Sequence, residues 1–337
     1  MDWFEKLTGF RETGYDDTRA KLKVEGRQLQ SLINGKGYDI GDLELVSLQT
    51  LRDRVKSVGG LPGRLKVGVV TGDVRHMHRL PENAGALFQV ASQFNLLEMA
   101  GPEVTPEDGV TIYQHDHTQG PACAIAAGAA TIYRNYFAPV GVSYGQTEDR
   151  QFDGLADLGE VLSKALNQPV GALWKMRNGY ALCTGDGLDA ISVHLGALQP
   201  DQVDILRGKL RIGVHSDVAV TDAEPEQRPL VSQAFCSALP VAYTRVPSAH
   251  WRPFASLVLE AAYEATMLAA VLNKHRGASN VVLLTFLGGG AFGNEDDWIH
   301  GAVRRALRMM SGFDLDVRLV SYGTPSRAIQ QMVKDFD

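Results

Sequence analysis

Cysteine is scarce in this chain: Cys123, Cys183 and Cys236 are the only three, and no two are close in sequence. Without a Cys-x-x-Cys pair, neither a disulfide framework nor a thiolate zinc site is indicated. All three stand in apolar surroundings, as buried bystanders. Positive charge is not in excess either. Lys and Arg number 33 against 39 Asp and Glu, a net charge of −6, so no global field draws the chain to nucleic acid or an anionic membrane. No apolar run reads as the roughly 20 residues needed to span a bilayer. The first residues, Met1-Asp-Trp-Phe-Glu-Lys6, have neither the basic nor the apolar part of a secretion signal. These absences set the expectation of a cytoplasmic protein with no membrane partner and no strong nucleic-acid signal. With 45% hydrophobic residues, the chain has enough apolar surface for a large core.

Several catalytic signatures are missing too. No Gly-x-Ser-x-Gly elbow occurs, which leaves a serine hydrolase of that type without support. Gly288, Gly290 and Gly293 satisfy the spacing Gly-x-Gly-x-x-Gly, but the strand that follows ends at Val320-Ser321-Tyr322, without the acid that would hold a ribose. No Lys-Ser/Thr follows the glycines, so a P-loop is excluded as well. His115-Asp116-His117 invites a metal reading. Neighbouring side chains on an extended segment point apart, however, and no third ligand is evident, so no metal is expected.

What is present is an alternation of strands and helices. Leu65–Val70, Ala86–Ala91, Lys209–His215, Val231–Cys236, the run from Val281 and Leu315–Tyr322 read as strands. Val110–Tyr113 reads as short and extended, and Pro121 to Tyr136 as one helix with Pro at its opening. Asn178-Gly179 marks a hairpin over Leu173–Cys183. Arg252 to Lys274 is a long helix, apolar on most sides. The pattern is α/β, a mixed sheet with helices on both faces. Alternating residues near 21–25 and 42–48, followed by Gly59-Gly-Leu-Pro-Gly63, suggest a small β-containing N-terminal extension over 1–60. Residues 61–337 then form the main domain, with an insertion around 140–205.

Four segments carry chemistry. Val281–Leu287 leads into Gly288-Gly289-Gly290-Ala291-Phe292-Gly293-Asn294 and then a helix that opens with Glu295-Asp296-Asp297. Strand, glycine loop and helix start together present backbone N–H groups to a phosphate; a turn whose glycines serve packing alone is the plainer alternative. Thr71-Gly72-Asp73-Val74 puts a carboxylate at the carboxyl end of a strand, suited to an exocyclic amine or simply to a turn. Gln89, Ser92, Gln93 and Asn95 follow one another out of a buried strand toward Glu98; their partners are sugar hydroxyls or neighbouring loops. Asp116-His-Thr118-Gln119-Gly120-Pro121 runs into a second helix N-terminus, which carries partial positive charge.

In this order the parts resemble a divergent macrodomain, the ADP-ribose-binding α/β fold, with some likeness to the poly(ADP-ribose) glycohydrolase branch. The resemblance implies that Asp73, with Val74, contacts adenine and that Gln89 and Ser92, or Asn95, face the distal ribose. It implies a first phosphate loop at Gln119-Gly120 and a second from Gly288 to Asn294, with Phe292 against the distal ribose. Two features depart from it: the Gln-Glu-Glu of the glycohydrolase branch does not follow the glycine triplet, and the macrodomain Asn-Ala-Ala-Asn is altered to Gln89-Val-Ala-Ser92. The expected partner is ADP-ribose or an ADP-ribosylated macromolecule, with no cofactor. The activity implied is hydrolysis of an ADP-ribosyl bond through an oxocarbenium-like state, with Asp116 as first and Glu98 as second candidate to activate or position water. A non-catalytic reader of ADP-ribose, or an enzyme on another phosphorylated nucleotide or metabolite, would use the same loops.

Overall fold

The computed structural model describes residues 1–336. Its centre is a seven-stranded mixed sheet built from β1 (Asp42–Ser47), β2 (Lys66–Thr71), β3 (Leu87–Ala91), β4 (Arg211–Ala219), β5 (Leu230–Cys236), β6 (Val281–Leu284) and β7 (Asp316–Ser321). The spatial order is β1-β4-β5-β3-β6-β7-β2. The five strands from β5 to β2 run parallel, while β4 pairs antiparallel with both β1 and β5. The central strands β3 and β6 are buried on both faces, whereas the edge strands alternate or are half-buried, as the crossover helices of a parallel sheet require.

One face is covered by α4 (Ser248–His275), with α1 (Leu48–Ser57) and α5 (Asp296–Met309) beside it. The other is covered by α2 (Gln119–Ala126), α3 (Gly128–Tyr136) and the short helix Val74–Arg79. Side chains of β3 divide between these faces with a period of two: Leu87 joins the α4 side and Phe88 and Val90 the α2 side. The helix α4 is long and apolar enough to cross a bilayer by length and composition, contrary to the sequence expectation. In the fold, most of that stretch is buried against the sheet and its neighbouring helices.

Three other expectations change. The boundary near residue 60 does not separate two folded units. β1 pairs with β4 over six residues, and Arg52 of α1 reaches Glu264 of α4 at 2.6 Å. Only residues 22–39 form their own three-stranded sheet. The single helix expected over 121–136 is two, α2 and α3. The freed groups at the break are taken by another segment: Asp222 N–H donates to the Ala126 carbonyl, and the Thr221 hydroxyl accepts from Gly128 N–H. Residues 111–115 form a 3₁₀ turn rather than an extended run, because the Glu12 carboxylate accepts from the N–H groups of Val110 and Thr111 and holds the chain curled.

Candidate active site

The site is assembled where β3 ends. Beyond Ala91 the chain is drawn into a tight loop by its own amides. Gln93 accepts from Met99 N–H at 2.7 Å and donates to its carbonyl; Asn95 accepts from Leu97 N–H and donates to Gln151. Leu96 adopts a left-handed φ of 65°, an uncommon conformation for a non-glycine residue. The loop turns Glu98 back beneath the end of the sheet, where Tyr113 accepts a hydrogen bond from its N–H.

A cleft of about 220 Å³ opens above this loop. One wall is the start of α2. Gln119 completes the β3 ladder with its side chain, accepting from Ala91 N–H and donating to the Gln89 carbonyl, both at 2.8 Å. At Gly120 a Cβ would stand 2.0 Å from the Ala91 carbonyl oxygen and 3.0 Å from Glu98 Cγ, so only glycine lets helix and strand meet there. The first-turn N–H groups of Gln119 and Gly120 have no partner among the described residues, and Thr118 caps neither with its side chain.

The opposite wall is the loop after β6. Gly288 has φ 74°, and a Cβ on it would meet Ala238 and Asn294 at 2.5–2.6 Å. The Asn294 amide pins the loop by donating to the Leu239 carbonyl at 2.8 Å. Gly289, Gly293 and Asn294 close internal turns with their N–H groups, whereas those of Gly288, Gly290, Ala291 and Phe292 have no partner among the described residues. These four residues line the cleft. Tyr180, Tyr243 and Phe292 stand around it with ring centroids 5.0–5.6 Å apart.

Glu98 is the electrostatic feature of the cleft. It is 2% exposed, and among the described residues neither carboxyl oxygen has a hydrogen-bond partner. Burial raises its pKa from 4.5 to about 8, against the lowering pull of Arg134, so it holds its proton at neutral pH. Asp116 lies at the rim, half-buried, and accepts from Thr118 N–H at 2.8 Å.

Of the residues singled out in the sequence, Ser92, Gln93, Glu98, Asp116, Thr118, Gln119, Gly120, Gly288, Gly290, Ala291 and Phe292 line one cleft. The others do not. Gln89 points to the opposite sheet face, where it donates to Thr266 and accepts from Thr285 N–H; the period-two alternation of β3 decides this. Asn95 is fully buried in its loop. Asp73 caps the helix Val74–Arg79 by accepting from Arg75 N–H and lines a separate hollow with Arg318, while Val74 packs beneath the helix in the core. Gly289, Gly293 and Asn294 shape the glycine loop from behind. Ser92 and Gln119 line the cleft, but their polar atoms are engaged with backbone groups. Among the described residues no cluster of three His, Cys, Asp or Glu side chains has metal-binding geometry.

Sequence reasoning missed Arg134, Tyr113, Tyr180 and Tyr243. A lone arginine within the small-residue helix 128–136 was a signal for the first. For Tyr180 the hairpin was legible but not its docking, which brings residues 174–183 against the loop 93–99.

No protein-family model and no curated protein matches this chain. Solved structures similar to it include poly(ADP-ribose) glycohydrolases. The enzyme of Thermomonospora curvata is 13% identical with a TM-score of 0.45, covering 96% of each chain. That of Deinococcus radiodurans, in complex with ADP-ribose, is 11% identical with a TM-score of 0.45, covering 87% of this chain and 92% of its own. At these values the functional reading rests on the cleft.

Proposed function

We propose that the cleft binds the diphosphate and distal ribose of ADP-ribose or a related nucleotide diphosphate, and that the protein hydrolyses an ADP-ribosyl glycosidic bond there. One observation carries the reading. A buried carboxyl without a hydrogen-bond partner among the described residues lies on the floor of a cleft whose two walls offer unpaired backbone N–H groups. Unpaired N–H groups at a helix start and a glycine turn suit phosphate oxygens. An unsatisfied, strongly perturbed acid in a cleft is a candidate for proton transfer. The cleft is smaller than a typical whole-ligand pocket, so the base would lie outside it, along the aromatic trio. The sequence resemblance to macrodomains names the same ligand.

In this reading Glu98 gives its proton to the leaving glycosidic oxygen as the bond to the ribose anomeric carbon breaks. Water adds to that carbon, and its proton returns to the Glu98 carboxylate. Asp116, at the rim, positions the water. The diphosphate contacts orient the sugar and supply much of the barrier reduction. Glu98 takes the acid's role because burial favours its protonated form, which a general acid needs at working pH. The adenine contact expected of Asp73 gains no support from this geometry, since that carboxylate caps a helix away from the cleft.

The test is calorimetric titration with ADP-ribose, ADP and AMP, together with a hydrolase assay on ADP-ribosylated protein and on poly(ADP-ribose). Binding that weakens sharply for AMP, with release of ADP-ribose, is expected. Binding without turnover would convert the reading to a reader module, and no binding to any of the three would overturn it.

A further inference from the structure

The Glu98 carboxyl is not alone beneath the cleft. Arg134, on α3, is itself fully buried, and its Nη2 stands 3.6 Å from Glu98 Oε2. This is ion-pair range but too long for a hydrogen bond. Three contacts fix the guanidinium. Its Nε donates to the Leu96 carbonyl at 3.1 Å, its Nη2 to the Thr131 hydroxyl at 3.1 Å, and its carbon lies 3.9 Å from the centre of the Phe235 ring. Nη1 has no partner.

The other titratable groups around this pair are Tyr113 from the 111–115 turn, Cys123 from α2 and His215 from β4. Burial favours the neutral form of each, raising the first two and lowering the third. Burial also lowers the pKa of Arg134, but from so high a value that the guanidinium stays charged. The half-buried Asp116 is the other acid at the cleft. Among the described residues Arg134 is therefore the one cation set against Glu98.

We infer that Arg134 is the positioning residue of this site: it holds the Glu98 carboxyl in place and carries the compensating charge when that carboxyl releases its proton. The inference rests on the reading of Glu98 as the acid. A carboxylate left alone in so dry a place would bind its proton too tightly to give it up. A fixed guanidinium brings donation and recapture of the proton within range of neutral pH, where acid catalysis works best. A purely structural arginine would fill the same space without touching the titration.

The measurement is the pH titration of Glu98 by NMR in protein carrying ¹³C-labelled glutamate, its signal assigned by its loss in Glu98→Gln. In wild type the midpoint is expected near 8. In Arg134→Met it should rise by roughly 1–3 pH units, the usual influence of an adjacent arginine on a carboxylate, and Arg134→Lys should lie between the two. A wild-type midpoint in folded Arg134→Met overturns the inference. Should that variant fail to fold, Arg134→Lys decides alone. A single ammonium nitrogen cannot donate to Leu96 and Thr131 and lie over Phe235 at once as the planar guanidinium does, so the midpoint rises, and an unmoved midpoint overturns the inference. Because no substrate is needed, a protein without hydrolase activity would sink the functional reading separately.

Discussion

Residues 89–95 and 285–294 both leave buried strands at the same end of the sheet, and both are rich in groups that sugars and phosphates bind. They use those groups in opposite ways. Gln89, Ser92, Gln93 and Asn95 turn their polar atoms inward and bond Thr266, Thr285, Met99, Leu97, Gln151 and the local backbone. The glycine loop leaves the N–H groups of four cleft-lining residues unpaired. A buried polar group without a partner costs about 1–3 kcal/mol. Side chains with several rotatable bonds escape that cost by reaching an internal partner. Backbone N–H groups fixed by a glycine turn have no such freedom; Gly288 and Phe292 are half-buried and Gly290 and Ala291 exposed, so donors without a protein partner there meet solvent until a ligand takes them. Unsatisfied donors on a cleft, rather than polar composition, therefore mark where a ligand belongs.

This contrast can be broken or sharpened by substitution. The largest effect is expected for Glu98→Gln, which keeps shape but cannot donate a proton as an acid. Turnover of an ADP-ribosylated substrate should fall by roughly 10²–10⁴-fold, while calorimetry shows ADP-ribose binding retained. Equal activity would remove Glu98 from the chemistry. Next comes Gly290→Val. A Cβ at Gly290 meets nothing within 4 Å, so the fold tolerates it while the cleft wall is obstructed. Affinity for ADP-ribose should drop ~100-fold, equivalent to about 2.7 kcal/mol, with little change in thermal midpoint; unchanged affinity would take the loop out of the site.

Gln89→Leu probes the other stretch. It strands Thr285 N–H and should destabilise the protein by roughly 1–3 kcal/mol in urea unfolding, with affinity for ADP-ribose unchanged. A tenfold loss of affinity at constant stability would collapse the contrast between the two segments. Of similar or smaller size is the pH dependence of stability. The raised pKa of Glu98 means that its contribution is complete below 4.5 and is lost as pH rises through about 8. Buried His78, lowered from 6.5 to about 4, works in the opposite direction, its contribution appearing as pH rises from 4 to 6.5. The Glu98 effect is therefore cleanest between pH 6.5 and 8. There wild type should lose about 2 kcal/mol that Glu98→Gln does not; parallel curves would mean that the carboxyl is already ionised. Smallest is Asp73→Ala, the loss of a helix cap. It should cost about 1 kcal/mol of stability and leave ADP-ribose affinity alone, and a selective loss against ribose phosphate would restore the adenine contact.

Much of this molecule could be read before folding was considered. The α/β alternation, the hairpin at Asn178-Gly179 and the strand–glycine–helix unit at 281–307 follow from apolar runs and turn residues, and all are local properties. Glu98 and Asp116 were reached from their neighbours in sequence, and both line the cleft. The role of Gln89 was not legible, because a strand's two faces are equivalent until helices cover them, and that of Asn95 depends on Gln151, 56 positions away. Glu12 was equally silent: its effect on residues 110–111 spans about a hundred positions.

By itself, then, the sequence determined the layered architecture and the glycine loop, because periodicity and backbone permissiveness are written residue by residue. Only the tertiary structure decided that β1 belongs to the main sheet, that Tyr180 of the 174–183 hairpin reaches the cleft, and that Arg134 stands 3.6 Å from Glu98. The perturbed carboxyl belongs to this second group. A pKa is set by desolvation and by neighbours in space, and neither exists until α2, α3 and the loop after β3 have closed over Glu98.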